Sequence, residues 1–358
     1  MFVDQQENNE YFKGRGAQLN THNKFLKNKY VTEFEEGLDG PFLENSKTQF
    51  FNETPKRIVS ESNSPDLSFN YSINPYQGCE HGCIYCYARN SHEYYGFSAG
   101  LDFERKIIVK HDAAQLLEKY FNKKNYQPAI IALSGNTDCY QPIEKKLKIT
   151  RSLLEVFLKY RHPVSIITKN NLILRDLDLI EALAKLDLVH ANISITSLSE
   201  DLRLKLEPRT VTAAGRLTVI RKLSEAGVPV RVMVAPIIPG LNSHEITDII
   251  KAAAAYGAKD AAYTIVRLNG SIGALFTDWI YKAFPNQAEK VLHQIENCHG
   301  GKLNDSRWGT RKTGEGPVAA SIKQIFTIAC KKYLNECKMS SYNFNHFVNL
   351  YGRQTNLF

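Results

Sequence analysis

Residues 129–171 read AIIALSGNTDCYQPIEKKLKITRSLLEVFLKYRHPVSIITKNN. A short β-branched run, 129–133, passes into a polar loop and then a helical pattern. A second such run, 164–168, ends in a polar loop of its own. This is the signature of a strand–helix–strand unit, and it repeats outward. Similar runs occupy 191–195, 230–234 and 262–266, so successive starts lie 35, 27, 39 and 32 residues apart. Between them, Ile246, Ile249, Ile250, Ala253 and Ala254 fall at i, i+3, i+4, i+7 and i+8, and Val219, Ile220 and Leu223 do the same after a turn at Gly215. A first strand at 67–74 brings the count to six. The pattern predicts an α/β protein whose parallel strands are either doubly wound or curled into a partial (β/α)6 barrel, and the barrel is the expectation adopted.

Three regions follow. Residues 1–65 are polar and weakly periodic, with KGRGAQ at 13–18 and an acidic patch at Glu33, Glu35, Glu36 and Asp39, and read as an N-terminal extension wrapping a core. Residues 66–275 form that core and 276–358 a basic C-terminal extension. Of the eight net positive charges, six lie in 300–358, where nine Lys/Arg meet three acids. Such a bias suits polyanionic partners, or simply a solvated face. Charged residues at 23% and hydrophobic residues at 43% exclude disordered, collagen-like and coiled-coil chains. The most apolar stretch, 228–241, is broken by Arg231 and three prolines, so no membrane span is expected. The first residues, MFVDQQENNEYFKGRG, lack a basic start and an apolar run, which predicts a cytoplasmic protein.

Parallel βα folds gather chemistry at the C-terminal ends of their strands. The loop after the first strand, NPYQGCEHGCIYCYARNSHEYYG at 74–96, holds Cys79, Cys83 and Cys86. Three soft thiolates within one turn, with Gly78 and Gly82 permitting tight bends, point to a metal centre with one position open. A closed Cys3His zinc site with His81 or His92 as fourth ligand is the alternative. Zinc knuckles usually present cysteines as two pairs, however, and here a single triple stands alone. A four-iron cluster held by three cysteines fits the spacing better.

At these residues the chain resembles the radical SAM superfamily, whose signature is Cys-x3-Cys-x2-Cys with an aromatic residue, here Tyr85, before the last cysteine. Within it, the resemblance is to spore photolyase-like proteins of largely unassigned substrate, through NPYQGCEHGCIYCYAR, SAGLDFERKI, TDCYQPIE, SIITK, LEPR and APIIPGLN. It covers roughly 65–270, and GRGAQ and NDSRWGTR suggest it reaches both ends. The resemblance implies that Cys79, Cys83 and Cys86 hold a [4Fe–4S] cluster whose open iron chelates S-adenosylmethionine, cleaved after reduction to methionine and a 5′-deoxyadenosyl radical in lyase or oxidoreductase chemistry. An electron donor is then required.

Further roles are implied by position. Tyr85 would lie near cluster and adenine. Asn136, Thr137 and Asp138 would offer acceptors to the methionine ammonium, unless SGNTD is only a helix-capping turn. Lys169 would pair with a carboxylate. Ser194 and Thr196, on one face of the fourth strand, would reach the ribose. Arg209 would make a bidentate carboxylate contact or a structural salt bridge. Residues 234–242 would form an apolar shelf near adenine. Spore photolyase carries a hydrogen-donating cysteine where this chain has Gly135, a departure that counts against thymine-dimer repair. Cys139 is the alternative thiol donor, or a buried inert cysteine. Cys298, Cys330 and Cys337, with a ligand such as His299, are candidates for an auxiliary cluster.

Trp308, Phe326, Tyr333, Tyr342, Phe344, Phe347 and Tyr351 interleave the basic extension, as phosphate contact and base stacking both require, which makes nucleic acid the expected substrate ahead of a protein, peptide or small molecule. The spacing of Ile322, Phe326 and Ile328 allows instead that these rings dock the extension on the core. Two non-catalytic alternatives, an Fe–S or zinc nucleic-acid-binding module and a redox sensor, have no need of the SGNTD, Lys169 and Ser194 constellation.

Overall fold

The computed structural model describes residues 11–26, 47–67, 69–335 and 338–350. The acidic patch at Glu33 to Asp39, Cys337 and Tyr351 fall outside them. Ten strands are present among the described residues. They are β1 (Gln49–Asn52), β2 (Val59–Glu61), β3 (Tyr71–Ile73), β4 (Tyr76–Gln77), β5 (Lys106–Val109), β6 (Ile131–Leu133), β7 (Val164–Thr168), β8 (Val189–Ser194), β9 (Val230–Ile237) and β10 (Asp260–Ile265).

The main sheet runs β2-β3-β6-β7-β8-β9-β10, parallel throughout except for the antiparallel edge pair β2/β3. Its six parallel strands follow chain order without the reversal that defines a doubly wound sheet. Among the described residues β3 and β10 do not pair, so the architecture is the open (β/α)6 form of a parallel α/β barrel. Strands covered on both faces must be apolar throughout. Ile131, Ala132, Leu133, Ile166, Ile193, Val230 and Val232 are accordingly buried. Helices Ile149–Lys159 and Ile246–Ala255 pack their apolar stripes on the sheet, through Leu153, Leu154 and Phe157 in the first and Ile246, Ile249, Ile250 and Ala253 in the second. The turn expected at Gly215 is the first turn of helix Ala213–Glu225, capped by Thr212, whose hydroxyl accepts from the Gly215 amide at 3.1 Å.

Two features differ from the sequence expectation. The first strand begins only at Tyr71, because Ser64, Pro65 and Asp66 turn the chain, with Leu67 N donating to Ser64 O at 3.2 Å. A second, three-stranded sheet, β1-β5-β4, was not anticipated: β1 comes from the polar N-terminal extension and finds its partner, KIIV of β5, more than fifty residues on.

Segment 303–312 spans the open side of the sheet. At the end of β10 Ile265 N donates to Lys312 O at 2.8 Å, and just beyond it Leu268 N donates to Leu303 O at 3.0 Å. Ahead of β3, the Asp66 carboxylate accepts from Gly309 N and from Arg311 Nε, and its carbonyl from Lys312 Nζ at 2.7 Å. Residues 338–350 lie at the other end of the barrel. There Tyr342 donates to Val164 O, Asn343 N to Asp187 O and Val348 N to Tyr160 O, all at or before strand starts. Helix Ile272–Ala283 runs across residue 275, where the C-terminal extension was expected to begin. Together with helix Ala288–Cys298 it builds a second core, through Phe276, Trp279 and Val291, that packs against Cys83, Ile84 and Tyr85. Among the described residues no helix is long and apolar enough to cross a membrane.

Candidate active site

The cysteine loop leaves β4 through Gly78. Its φ is +79°, and a Cβ there would stand 2.8 Å from the Lys106 carbonyl, so only glycine fits. Backbone bonds pin the loop at both ends, from Cys79 N to Phe103 O at 2.9 Å and from Ile84 N to Leu206 O at 3.0 Å. Arg89, fully buried, gives Nε to the Cys83 carbonyl at 2.9 Å, Nη1 to the carbonyls of Ala99 and Gly100, and Nη2 to Glu104 at 2.6 Å. Glu104 also accepts from the amides of Gly16 and Ala17. GRGAQ thus lies directly against the loop, and a side chain at Gly16 would overlap the Gly82 carbonyl.

Burial pushes all three thiols up, in Cys79 and Cys83 with reinforcement from Asp138 and Glu207 respectively. Iron or another thiophilic metal would therefore displace protons on binding. The zinc alternative lacks its fourth ligand. His81 directs Nδ1 to Asp138 at 3.4 Å and Nε2 to the Asn170 carboxamide at 3.1 Å, while His92 packs between Phe97 and Phe103. Among the described residues no three His, Cys, Asp or Glu side chains, the three thiols included, are gathered as ligands of a single ion, so the donor chemistry of the triple and not its present arrangement is what suits a cluster. Three thiols without a fourth protein ligand fit a cluster that keeps one iron open.

At the C-terminal ends of β7, β8 and β9 the centre of the site is a residue the sequence reading passed over. Glu207, 1% exposed, accepts from Tyr85 Oη, from Thr196 Oγ1 at 3.2 Å and from Arg216 Nη2 at 2.5 Å; Lys169 Nζ lies at 3.9 Å and Cys83 Sγ at 4.0 Å. Burial works to raise its pKa, but Arg216 and Lys169 outweigh it and hold the carboxyl down to about 2. The signal was in LEPR, where one motif offers two charged residues and only packing decides which turns inward. Arg209 turns outward: it is exposed, its Nε bonds the Gly14 carbonyl at 3.3 Å, and among the described residues it forms no salt bridge, though its charge is felt by Glu80. The guanidinium that pairs with Glu207 is Arg216, locked by further bonds to Ser194 O, Val211 O and Thr210 Oγ1.

The remaining expected residues divide into committed and open groups. Thr137 Oγ1 donates to Tyr76 O at 2.5 Å. Asp138 accepts from Thr168 Oγ1 and Lys169 N, both at 2.8 Å, tying the β6 and β7 loops together. Thr196 is spent on Glu207, Tyr85 and the Ala235 carbonyl. Cys139 is fully buried in the main core, which fits the inert alternative rather than a hydrogen donor. Cys298 sits in the same core and His299 meets the Val266 carbonyl through Nε2. Three groups stay open among the described residues. These are the Lys169 ammonium, with no hydrogen bond beyond its long pair to Glu207, the Ser194 hydroxyl, and the Asn136 carboxamide oxygen, whose NH2 is held by Ser91 and Gln77. A cation, a hydroxyl and an acceptor on three adjacent strand ends match the carboxylate, ribose and ammonium of an amino-acid nucleoside. Tyr87, next to Cys86, was also missed; its hydroxyl reaches the Gly135 carbonyl across the mouth.

The extension's aromatics are mostly consumed by packing. Phe326 lies on Tyr263 at 4.5 Å, Tyr342 on His190 at 3.9 Å, and Phe347 against Phe121, Tyr126 and His162, with Tyr333 on the main core. Trp308 and Phe344 remain exposed.

Comparison with known proteins agrees with this geometry. The radical SAM superfamily model matches residues 73–253. An uncharacterized protein of Mycobacterium tuberculosis (strain H37Rv) is 33% identical over 225 residues, 62% of this chain and 66% of that protein, so the chain spans just under two thirds of this relative. A radical SAM Nalpha-GlyT isomerase of Pseudomonas phage M6 is 21% identical over 278 residues, 77% of this chain and 54% of that one. Spore photoproduct lyase complexed with dinucleoside spore photoproduct shares the fold at a TM-score of 0.59 and 17% identity, over 84% of this chain and 85% of the other. With its three-cysteine loop at the mouth of an open parallel barrel, the chain belongs to the radical SAM superfamily, whose members use a [4Fe–4S] cluster and S-adenosylmethionine.

Proposed function

We propose that this protein is a radical SAM enzyme acting on a nucleotide within nucleic acid. The observation that carries the reading is the buried Glu207, Arg216, Lys169 and Tyr85 constellation beside Cys83. Buried charge is costly unless used, and charged groups in a mouth mark function more often than stability. Cys79, Cys83 and Cys86 would hold the cluster. Bound there, cluster and cofactor would supply one-electron reductive cleavage of S-adenosylmethionine and with it hydrogen-atom abstraction. The chain's own part is to orient and shield. Lys169 would neutralise the cofactor carboxylate, the Asn136 carboxamide oxygen would accept from its ammonium, and Ser194 would bond the ribose. Ile238 and Leu241, in the second core, would give the apolar wall toward adenine.

A nucleic-acid substrate is supported by the +8 charge, by the fold shared with a lyase bound to a dinucleoside, and by the exposed Trp308, over which Arg311 stacks at 3.9 Å beside Lys312. Since most other rings of the extension are buried in packing, the contact surface we infer is segment 303–312 rather than helix Gly316–Tyr333. Gly135 in place of a thiol, and Cys139 in the core, argue for a chemistry other than thiol-quenched dimer repair. Six free cysteines among the described residues fit a reducing, cytoplasmic setting.

The test is anaerobic turnover with dithionite, S-adenosylmethionine and single-stranded oligodeoxynucleotides. 5′-Deoxyadenosine formed by the intact protein, absent in Cys83→Ala and increased by oligonucleotide, supports the reading. Formation indifferent to any oligonucleotide rejects the substrate class, and affinity unchanged in Trp308→Ala rejects the surface.

A further inference from the structure

We infer that Glu207 is a positioning charge that sets the reduction potential of the cluster, with Lys169 opposing it. The inference rests on the proposed function, because it needs a cluster at Cys79, Cys83 and Cys86. Its ground is geometric. Glu207 follows helix Glu200–Leu206, with its amide on Arg203 O at 2.8 Å and its carbonyl accepting from Thr210 Oγ1 at 2.7 Å. Arg216, itself buried and held by Ser194, Val211 and Thr210, fixes one carboxylate oxygen at 2.5 Å. The other oxygen carries the contacts to Tyr85, Thr196 and Lys169 and faces Cys83 Sγ at 4.0 Å. An ionised carboxylate, paired with Arg216 and 1% exposed, is thereby held beside one cluster ligand.

A rigid clamp alone would not require a carboxylate, since the hydroxyls of Tyr85 and Thr196 and the guanidinium of Arg216 would bond a carboxamide as well. What only the charge supplies is an electrostatic bias. Cluster potentials respond to net charge and to hydrogen bonds at the sulfurs, and a nearby anion disfavours the added electron. Glu207 therefore lowers the potential and makes the reduced cluster a stronger donor. Lys169 is the adjustable term. It is tied to Glu207 only by the 3.9 Å pair, so an anionic group arriving at the mouth draws it away and exposes the cluster to the carboxylate more fully. Arg216 and Glu207 are fixed by this chain's own residues while Lys169 is free to move; the electron comes from an external one-electron reductant.

Spectroelectrochemical titration of the reconstituted protein, without S-adenosylmethionine, tests this. Glu207→Gln should move the midpoint positive, by about tenfold in reduced-to-oxidised ratio at fixed applied potential, or about 59 mV for one electron. Lys169→Gln should move it negative, and Glu207→Asp should restore most of the wild-type value. Midpoints that do not move, or that move in the same direction in both carboxamide variants, overturn the inference. Should Glu207→Gln fail to assemble a cluster, Lys169→Gln decides alone, and no negative shift refutes it. Wild-type protein that takes up no cluster overturns the proposed function and this inference together, whereas a cluster with unshifted midpoints overturns only the latter.

Discussion

The two ends of the parallel sheet are built from different materials. At the C-terminal ends of the strands, Glu207, Arg216 and Lys169 are buried together with Tyr85 and Thr196, and three thiols stand beside them. At the N-terminal ends the barrel is covered by rings. Phe347 packs on Phe121, Tyr126 and His162, and Tyr342 on His190. Rings in contact gain from area and edge-to-face geometry without desolvating a charge. A buried ion pair roughly breaks even and is seldom a device for stability. The contrast separates an end rich in buried charge from one closed by rings, and the proposed chemistry lies at the first.

The two roles should come apart under substitution. Arg216→Ala should be the most damaging single change, since it leaves Glu207 charged, buried and short of its main partner. A loss of about 3–5 kcal/mol is expected in urea unfolding, and a loss under about 1 kcal/mol would show that the carboxylate is solvated. His162 probes the other end. It stacks on Phe121 at 4.3 Å and burial lowers its pKa to about 3. The folded chain resists protonation that the unfolded chain accepts from about pH 6.5 downward, so stability should fall as pH drops from 6.5 toward 3 and be unaffected above that window. The slope is up to about 1.4 kcal/mol per pH unit, and His162→Gln should flatten it; an identical slope in the variant contradicts the assignment. Phe347→Ala, at a half-buried ring, should cost about 1–2 kcal/mol while leaving S-adenosylmethionine affinity unchanged. A fall in that affinity would mean the two ends are coupled.

Much of the fold was legible because period and burial coincide. The strand at 164–168 and the Ile246, Ile249, Ile250 and Ala253 stripe appear where the pattern put them. The β1-β5-β4 sheet was not legible, since strand pairing between 49–52 and 106–109 leaves no local periodic trace. Nor was the closure of the open edge by 303–312, which depends on the Asp66 bonds to Gly309 and Arg311. At the site the cysteine spacing was plain from sequence alone. Glu207 and Arg216 were not, because a charged residue in a loop reads the same whether it faces solvent or a ligand. Nor was the second task of Asp138 legible, since its carboxylate also ties the loops after two strands together.

We propose that the mouth holds a four-iron cluster with one iron open to S-adenosylmethionine. Iron and sulfide analysis of the anaerobically reconstituted protein, followed by EPR of the dithionite-reduced form with and without S-adenosylmethionine, tests it most directly. About four irons per chain are expected, with a spectrum that changes on adding the cofactor and is lost in Cys83→Ala. Zinc in place of iron, or a cluster spectrum indifferent to S-adenosylmethionine, would contradict the claim.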